Sequence, residues 1–168
     1  KETREIPEIK ATASLYEHTK SGAELLHIDT TDTNKVFCAA FKTAPQNSSG
    51  VPHILEHSVL NGSRNYPSKN TFMELLKGSL HTFVNAMTGS DITFYPVAST
   101  NATDYMNLSR VYMDAVLFPR IYEQPEILQQ EGWHYELNDP QDELNIRGVV
   151  YNEMKGAFSS PDSLMYRM

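Results

Sequence analysis

Cysteine is almost missing from this chain of 168 residues, and the single Cys38 rules out an internal disulfide and with it a cross-linked secreted framework. A reducing compartment fits that usage. An excess of basic charge is missing too. With 14 Lys and Arg against 21 Asp and Glu the formal charge is −7, so no basic stripe is available to neutralise phosphates, and nucleic acid is not an expected partner. A cationic peptide suits this balance better. No stretch approaches the roughly 20 apolar residues of a membrane span, and no charged-then-apolar leader opens the chain, so no membrane partner is expected. Repeats and low-complexity tracts are also lacking, which leaves one ordinary domain as the expectation for residues 1–168. Four Asn-x-Ser/Thr triplets, beginning at Asn47, Asn61, Asn101 and Asn107, read as chance matches in a chain rich in these residues.

What is present is an interleaving of short strands and helices. Residues 14–19, 23–29 and 35–43 are β-branched or aromatic in part and are separated by turn formers, which predicts a strand meander. Pro52 stands where a first helical turn accepts proline, so a helix over residues 52–60 follows, stopped by Asn61-Gly62. Ser68 is the expected cap of a second helix ending near Gly78, with Phe72, Leu75 and Leu76 on one face. Residues 81–87 and 91–97 around Thr88-Gly89-Ser90 give the clearest hairpin signal. Thr100 or Asn101 caps a longer helix to Phe118, with Tyr105, Leu108, Tyr112, Ala115 and Val116 at core spacing. A short helix from Pro125, two strands at 133–137 and 143–147, and a helix from Gly148 carrying Glu153 complete the series. The predicted class is α+β, a mostly antiparallel sheet packed with helices on one side. Residues 162–168 read as a helix that simply stops, so a chain truncated at its C-terminal end is expected.

The chemistry is concentrated at His53-Ile54-Leu55-Glu56-His57. Two histidines at i and i+4 on a helix lie on one face about 5–6 Å apart at Cβ, a separation that lets one zinc ion take a nitrogen from each. Glu56 shares that face. A catalytic zinc keeps three protein ligands and leaves a position open, and a neighbouring carboxylate can act as general base on water there. The order His-x-x-Glu-His inverts the commoner His-Glu-x-x-His and places a base beside the metal equally well. A third ligand must come from elsewhere, and spacing alone leaves His81, Asp91, Glu123, Glu126, Glu131, His134, Glu136 and Glu153 open. A structural zinc site would call for a fourth protein ligand, most often cysteine, and Cys38 is far from the motif.

The inverted motif, the run Leu60-Asn-Gly-Ser63 through Tyr66-Pro67, the hairpin from Asn85-Ala-Met-Thr88 to Tyr95-Pro96, and Arg147-Gly-Val-Val-Tyr-Asn-Glu153-Met-Lys-Gly156 together resemble the pitrilysin-type inverzincin metallopeptidases. The likeness is to their presequence-protease and falcilysin branch and runs from about Tyr16 onward. It implies zinc held by His53, His57 and Glu153, with Glu56 as general base. It also implies that Asn85, Ala86, Met87 and Thr88 form a strand edge to which an extended peptide adds through main-chain hydrogen bonds. Such peptidases are long and close two halves around a chamber, with an Arg/Tyr pair from the second half. The resemblance therefore implies an N-terminal catalytic domain whose C-terminal half is the missing partner, weakly active or inactive alone. A bacterial cytoplasm is the implied setting, with the mitochondrial matrix or another organelle as the alternative. A catalytically silent binding or scaffolding subunit of the same fold is the competing function, and the intact motif argues against it. Tyr95, Trp133 and Tyr135 are candidates to line the pocket, although aromatics in strands are most often core.

Overall fold

The computed structural model describes residues 2–165 and divides the chain into two compact units, Lys1–Lys35 and Val36–Met168. In the first, β1 (Glu2–Ile6), β2 (Ala11–Glu17) and β3 (Glu24–Asp29) form an antiparallel sheet in that order. The sequence pattern anticipates β2 and β3 but not β1. Glu2–Ile6 carries alternating charge and hardly any apolar face, and it is held by polar cross-strand pairs instead. Glu5 lies opposite Thr12, whose hydroxyl donates to the Glu5 carboxylate at 3.0 Å, and Thr3 meets Ser14 at 3.2 Å.

The second unit is built on β7 (Ile92–Ser99), a strand buried along almost its whole length. A run buried on both faces reads as continuous apolar sequence rather than alternation, as Tyr95-Pro-Val-Ala98 does. On one side β7 pairs with β4 (Lys35–Lys42), and on the other with β5 (Phe83–Val84) and β6 (Met87–Thr88). The expected hairpin strand over 81–87 is thus broken in two. Asn85 causes the break: its side-chain oxygen accepts from the Ala86 amide at 2.9 Å, and its carbonyl accepts from the buried Tyr112 hydroxyl at 3.2 Å. Both groups are taken from a regular ladder.

Helix α3 (Ala102–Leu117) packs on β7. Asn101 caps it, accepting from the Thr103 and Asp104 amides at 3.0 Å each. Leu108, Tyr112 and Ala115 enter one core with Val84, Tyr95 and Val97 of the sheet and with Val59 and Leu60, while Phe72, Leu75, Leu76 and Val116 pack on its margin. Tyr105 stays half-buried outside that cluster. Helix α2 (Thr71–Gly78) starts later than expected, because the Ser68 hydroxyl donates to the Glu74 carboxylate at 2.6 Å and Asn70 takes the cap position. The helix expected over 162–168 forms as α6 (Pro161–Met165), and the remainder of that expectation lies outside the described residues.

The loop before α2 is tied to α3 by Asp114, a buried carboxylate that accepts from the Asn65 amide at 2.8 Å and the Asn65 side chain at 2.7 Å. Beside it the Arg64 guanidinium lies 3.9 Å over the Phe118 ring. Burial alone would raise the Asp114 carboxyl, but Ser63, the two Asn65 bonds and the Arg64 charge hold it below the ordinary value. A carboxyl depressed in the folded state adds stability that is present above its unfolded pKa, about 3.9, and is lost as pH falls through the folded value. The contribution of Asp114 to the denaturation midpoint is therefore expected to be level above about pH 5 and to be lost below about pH 4. Asp114→Asn should cost about 1–3 kcal/mol near neutrality and flatten that acid limb. Denaturant titrations at several pH values check both, and an unchanged acid limb in the variant counts against this role for Asp114.

Candidate metal centre

Helix α1 (Val51–Val59) supplies the motif. Gly50, at φ 76°, turns the chain into it, Pro52 fits its first turn, and Ile54, Glu56, Ser58 and Val59 are buried. His53 and His57 are left on the cleft side with ring centroids 4.9 Å apart and edge-on. Glu56, only 5% exposed, has its Oε2 bonded by the Thr88 hydroxyl of β6 at 2.5 Å.

Two more helices close on α1. They are α4 (Pro125–Glu131) and α5 (Val149–Ala157), joined by the antiparallel pair β8 (His134–Glu136) and β9 (Asn145–Arg147). The junctions touch at Gly148, where φ is 153° and an added Cβ would lie 2.4 Å from the Gly132 carbonyl oxygen. Only glycine lets the start of α5 sit so close to the end of α4. That approach brings Glu153 to the histidines from one side and Glu131 from the other.

His53 Nε2 lies 3.7 Å from Glu153 Oε1, and His57 Nε2 lies 3.3 Å from Glu153 Oε2. One donor atom from each of His53, His57 and Glu153 lies within 4.8 Å of the others. Two imidazole nitrogens and a carboxylate make up the donor set of catalytic zinc sites with three protein ligands, and ligands about 2.0–2.1 Å from a tetrahedral ion stand roughly 3.3 Å apart. The spacing of His57 and Glu153 fits that figure directly.

The second nitrogen of His57 is also engaged. Its Nδ1 lies 3.2 Å from Glu131 Oε2, while Asn61 and Gln130 side-chain amides each donate to Glu131 Oε1 at 3.0 Å. A carboxylate at Nδ1 fixes the proton there and leaves Nε2 as the lone-pair donor. The Glu131 hydrogen bond raises the pKa of His57 against the opposing effect of burial, and Glu153, Glu131 and Glu56 add to the rise. Burial would raise Glu131, yet its bonds to His57, Gln130 and Asn61 hold it below the ordinary value. Glu131 is therefore a charged group although 4% exposed.

Of the residues open as third ligand by spacing, the structure places Glu153 in the cluster and Glu131 behind His57. His81 instead bonds Ser79 at 2.8 Å. Asn85, Ala86, Met87 and Thr88 line the same cleft of about 710 Å³ as His53, Glu56, His57 and Glu153. Trp133 and Tyr135 do not. They are exposed and packed edge-on against each other at 6.1 Å, Trp133 just before β8 and Tyr135 within it, and among the described residues the two-stranded ribbon has no second layer over them. Tyr95 is core. Sequence reasoning missed two contacts, Glu131 on His57 and Thr88 on Glu56. The only signal for them was an acid at the end of one short helix and a hydroxyl on a hairpin.

The profile of the family described as Insulinase (Peptidase family M16) matches residues 41–153. Presequence protease 1, chloroplastic/mitochondrial, of Arabidopsis thaliana is 56% identical over 163 residues, 97% of this chain and 15% of that protein. Protein HypA of Clostridium perfringens is 59% identical over 162 residues, 96% of this chain and 17% of its own length. The mitochondrial presequence protease of Saccharomyces cerevisiae is 49% identical over 158 residues, 92% of this chain and 16% of that protein. The chain thus spans about a sixth of the length of these relatives.

If the cluster takes zinc and Glu131 orients His57, Glu131→Gln should weaken that binding about 10- to 100-fold, the usual consequence of losing a carboxylate behind a metal-binding histidine. Competition against a chromophoric chelator reads this directly. An affinity equal to the parent's would show that Glu131 only fills space.

Proposed function

This chain belongs to the insulinase peptidase family, M16, and we propose that it forms the zinc-holding part of an endopeptidase that cuts unstructured oligopeptides, presequence-like peptides among them. The observation that carries this reading is the convergence of His53, His57 and Glu153 donor atoms within 4.8 Å in a cleft that also holds Glu56. His53, His57 and Glu153 are the proposed ligands. Zinc supplies Lewis-acid polarisation of a carbonyl and acidifies water.

The remaining steps fall to the chain's own groups. Glu56 accepts the proton of the attacking water and returns it to the departing amine, as a general base that becomes a general acid. Burial, reinforced by the charge of Glu56, pushes the Tyr95 and Tyr112 hydroxyls above their ordinary value, so both stay neutral beside it. The peptide lies extended along β6, which pairs with β7 on one edge and has no second strand among the described residues. Main-chain pairing there gives affinity with little demand on sequence, which suits a peptidase of unfolded peptides. Asn85, Ala86, Met87 and Thr88 are the proposed contacts.

Residues 1–168 act in this reading as the N-terminal part of one peptidase, and the rest of the protein is its partner in enclosing the substrate. The length of the relatives supports that division. The setting we infer is the cytoplasm of a bacterium or, following the names of two relatives, a mitochondrion or plastid. No helix among the described residues is long and apolar enough to cross a membrane.

Glu56→Gln in the full-length protein is expected to keep its zinc and lose at least about 100-fold in kcat on an unstructured peptide, within the range for removal of a general base. Metal analysis and peptide cleavage measured on one preparation check the pair, and cleavage at the parent rate would remove Glu56 from the role. The 168-residue chain alone is expected to bind zinc but cleave weakly or not at all; robust cleavage by it would overturn the division of labour.

A further inference from the structure

The base does not stand alone. Behind Glu56 runs a file of three threonine hydroxyls: Thr88 Oγ1 donates to Glu56 Oε2 at 2.5 Å, Thr93 Oγ1 lies 3.4 Å from Thr88 Oγ1, and Thr43 Oγ1 lies 2.7 Å from Thr93 Oγ1. They come from three separate stretches of chain. Thr88 is in β6, Thr93 faces it from β7, and Thr43 follows β4, where its amide donates to the Asp91 carbonyl at 2.8 Å. Thr93 is 2% exposed, so its hydroxyl has these neighbours in place of water.

A threonine hydroxyl has one proton to give. That of Thr88 goes to the carboxylate, which leaves its oxygen able to accept from Thr93; when Thr93 donates there, its own oxygen accepts from Thr43. In that arrangement each hydroxyl donates toward Glu56, and successive bonds polarise one another. A hydroxyl bonded to a carboxylate makes a charge-assisted hydrogen bond, shorter and stronger than a neutral one. It fixes Oε2 and leaves Oε1 as the oxygen that takes a proton.

The geometry points to Thr88, backed by Thr93 and Thr43, as the positioning residue that holds the Glu56 carboxylate in its working orientation. This assignment rests on Glu56 being the general base. It gives the side chain of Thr88 a task separate from that of its backbone in receiving peptide. Threonine fits the task because its branched Cβ stiffens χ1 and so fixes where the hydroxyl points. Valine in its place keeps the shape and loses the bond.

The test uses the full-length, zinc-loaded protein with Thr88→Val, Thr88→Ser and Thr93→Val. Thr88→Val should lower kcat about 10- to 100-fold, the scale of a misplaced catalytic group, with KM within about 2-fold and zinc content unchanged. Thr88→Ser should restore most of the rate, and Thr93→Val should cost several-fold. A rise in KM with kcat intact would make Thr88 a substrate contact and overturn the assignment, as would parent kcat in Thr88→Val. Crystal structures separate this from the peptidase reading itself. If the parent cleaves no peptide the peptidase reading fails, while the Glu56 rotamer still decides the threonine file: one orientation in the parent and Thr88→Ser with several in Thr88→Val supports it, and an unchanged single orientation in Thr88→Val overturns it.

Discussion

Three carboxylates meet two imidazoles in one cleft, and most of the second unit is arranged around that charge problem. Glu56, Glu131 and Glu153 all line it with His53 and His57, and among the described residues Lys69 is the one lysine or arginine that lines it. Close carboxylates repel one another strongly where water is scarce. Each acid is managed differently. Glu131 accepts from His57, Asn61 and Gln130, Glu56 accepts from the Thr88 hydroxyl, and Glu153 faces the two histidine nitrogens. A carboxylate with two imidazole Nε2 atoms beside it is a donor set that suits a divalent cation.

That arrangement asks more of the backbone than of α1 alone. A helix can present two histidines and one glutamate, but it cannot place acids on opposite sides of the same imidazole. The β8–β9 ribbon does so by returning the chain from α4 to α5, with Arg147 bonded to Glu136 at 2.9 Å across the pair. Gly148 then removes the side chain that would hold the two helix ends apart. The sheet contributes the remaining wall. β6 is short because Asn85 ends β5 early, and the restart at Met87 sets Thr88 opposite Thr93 and within reach of α1.

Much of this was legible in the sequence wherever a local rule decides the outcome. The His-x-x-Glu-His spacing fixes which side chains share a helix face, Pro52 and Asn101 mark helix starts, and Thr88-Gly89-Ser90 marks the turn of a hairpin. Long-range choices were not legible in the same way. Spacing left eight candidates for the third ligand, and only resemblance singled out Glu153, since the approach of α5 depends on a glycine contact across the fold. Glu131 looked equivalent to its neighbours because burial, not residue type, turns it into a partner for His57. β1 escaped because polar cross-strand pairs leave no apolar alternation to read. Trp133 and Tyr135 carry the β propensity of core residues, yet among the described residues the ribbon has no second layer over them and both are exposed.

In the proposed reading Thr88 connects substrate and base. Its strand edge and its side chain have different tasks in that reading, since backbone groups pair sideways in the plane of the sheet while the hydroxyl reaches Glu56 of α1. A peptide adding to β6 would therefore stiffen the same two-residue strand from which Glu56 takes its hydrogen bond. Movement of β6 away from β7 would weaken both at once, because the Thr88–Thr93 pairing supports the edge and the hydroxyl file together. In the proposed reading, binding energy gained along the edge is in this way available to order Glu56.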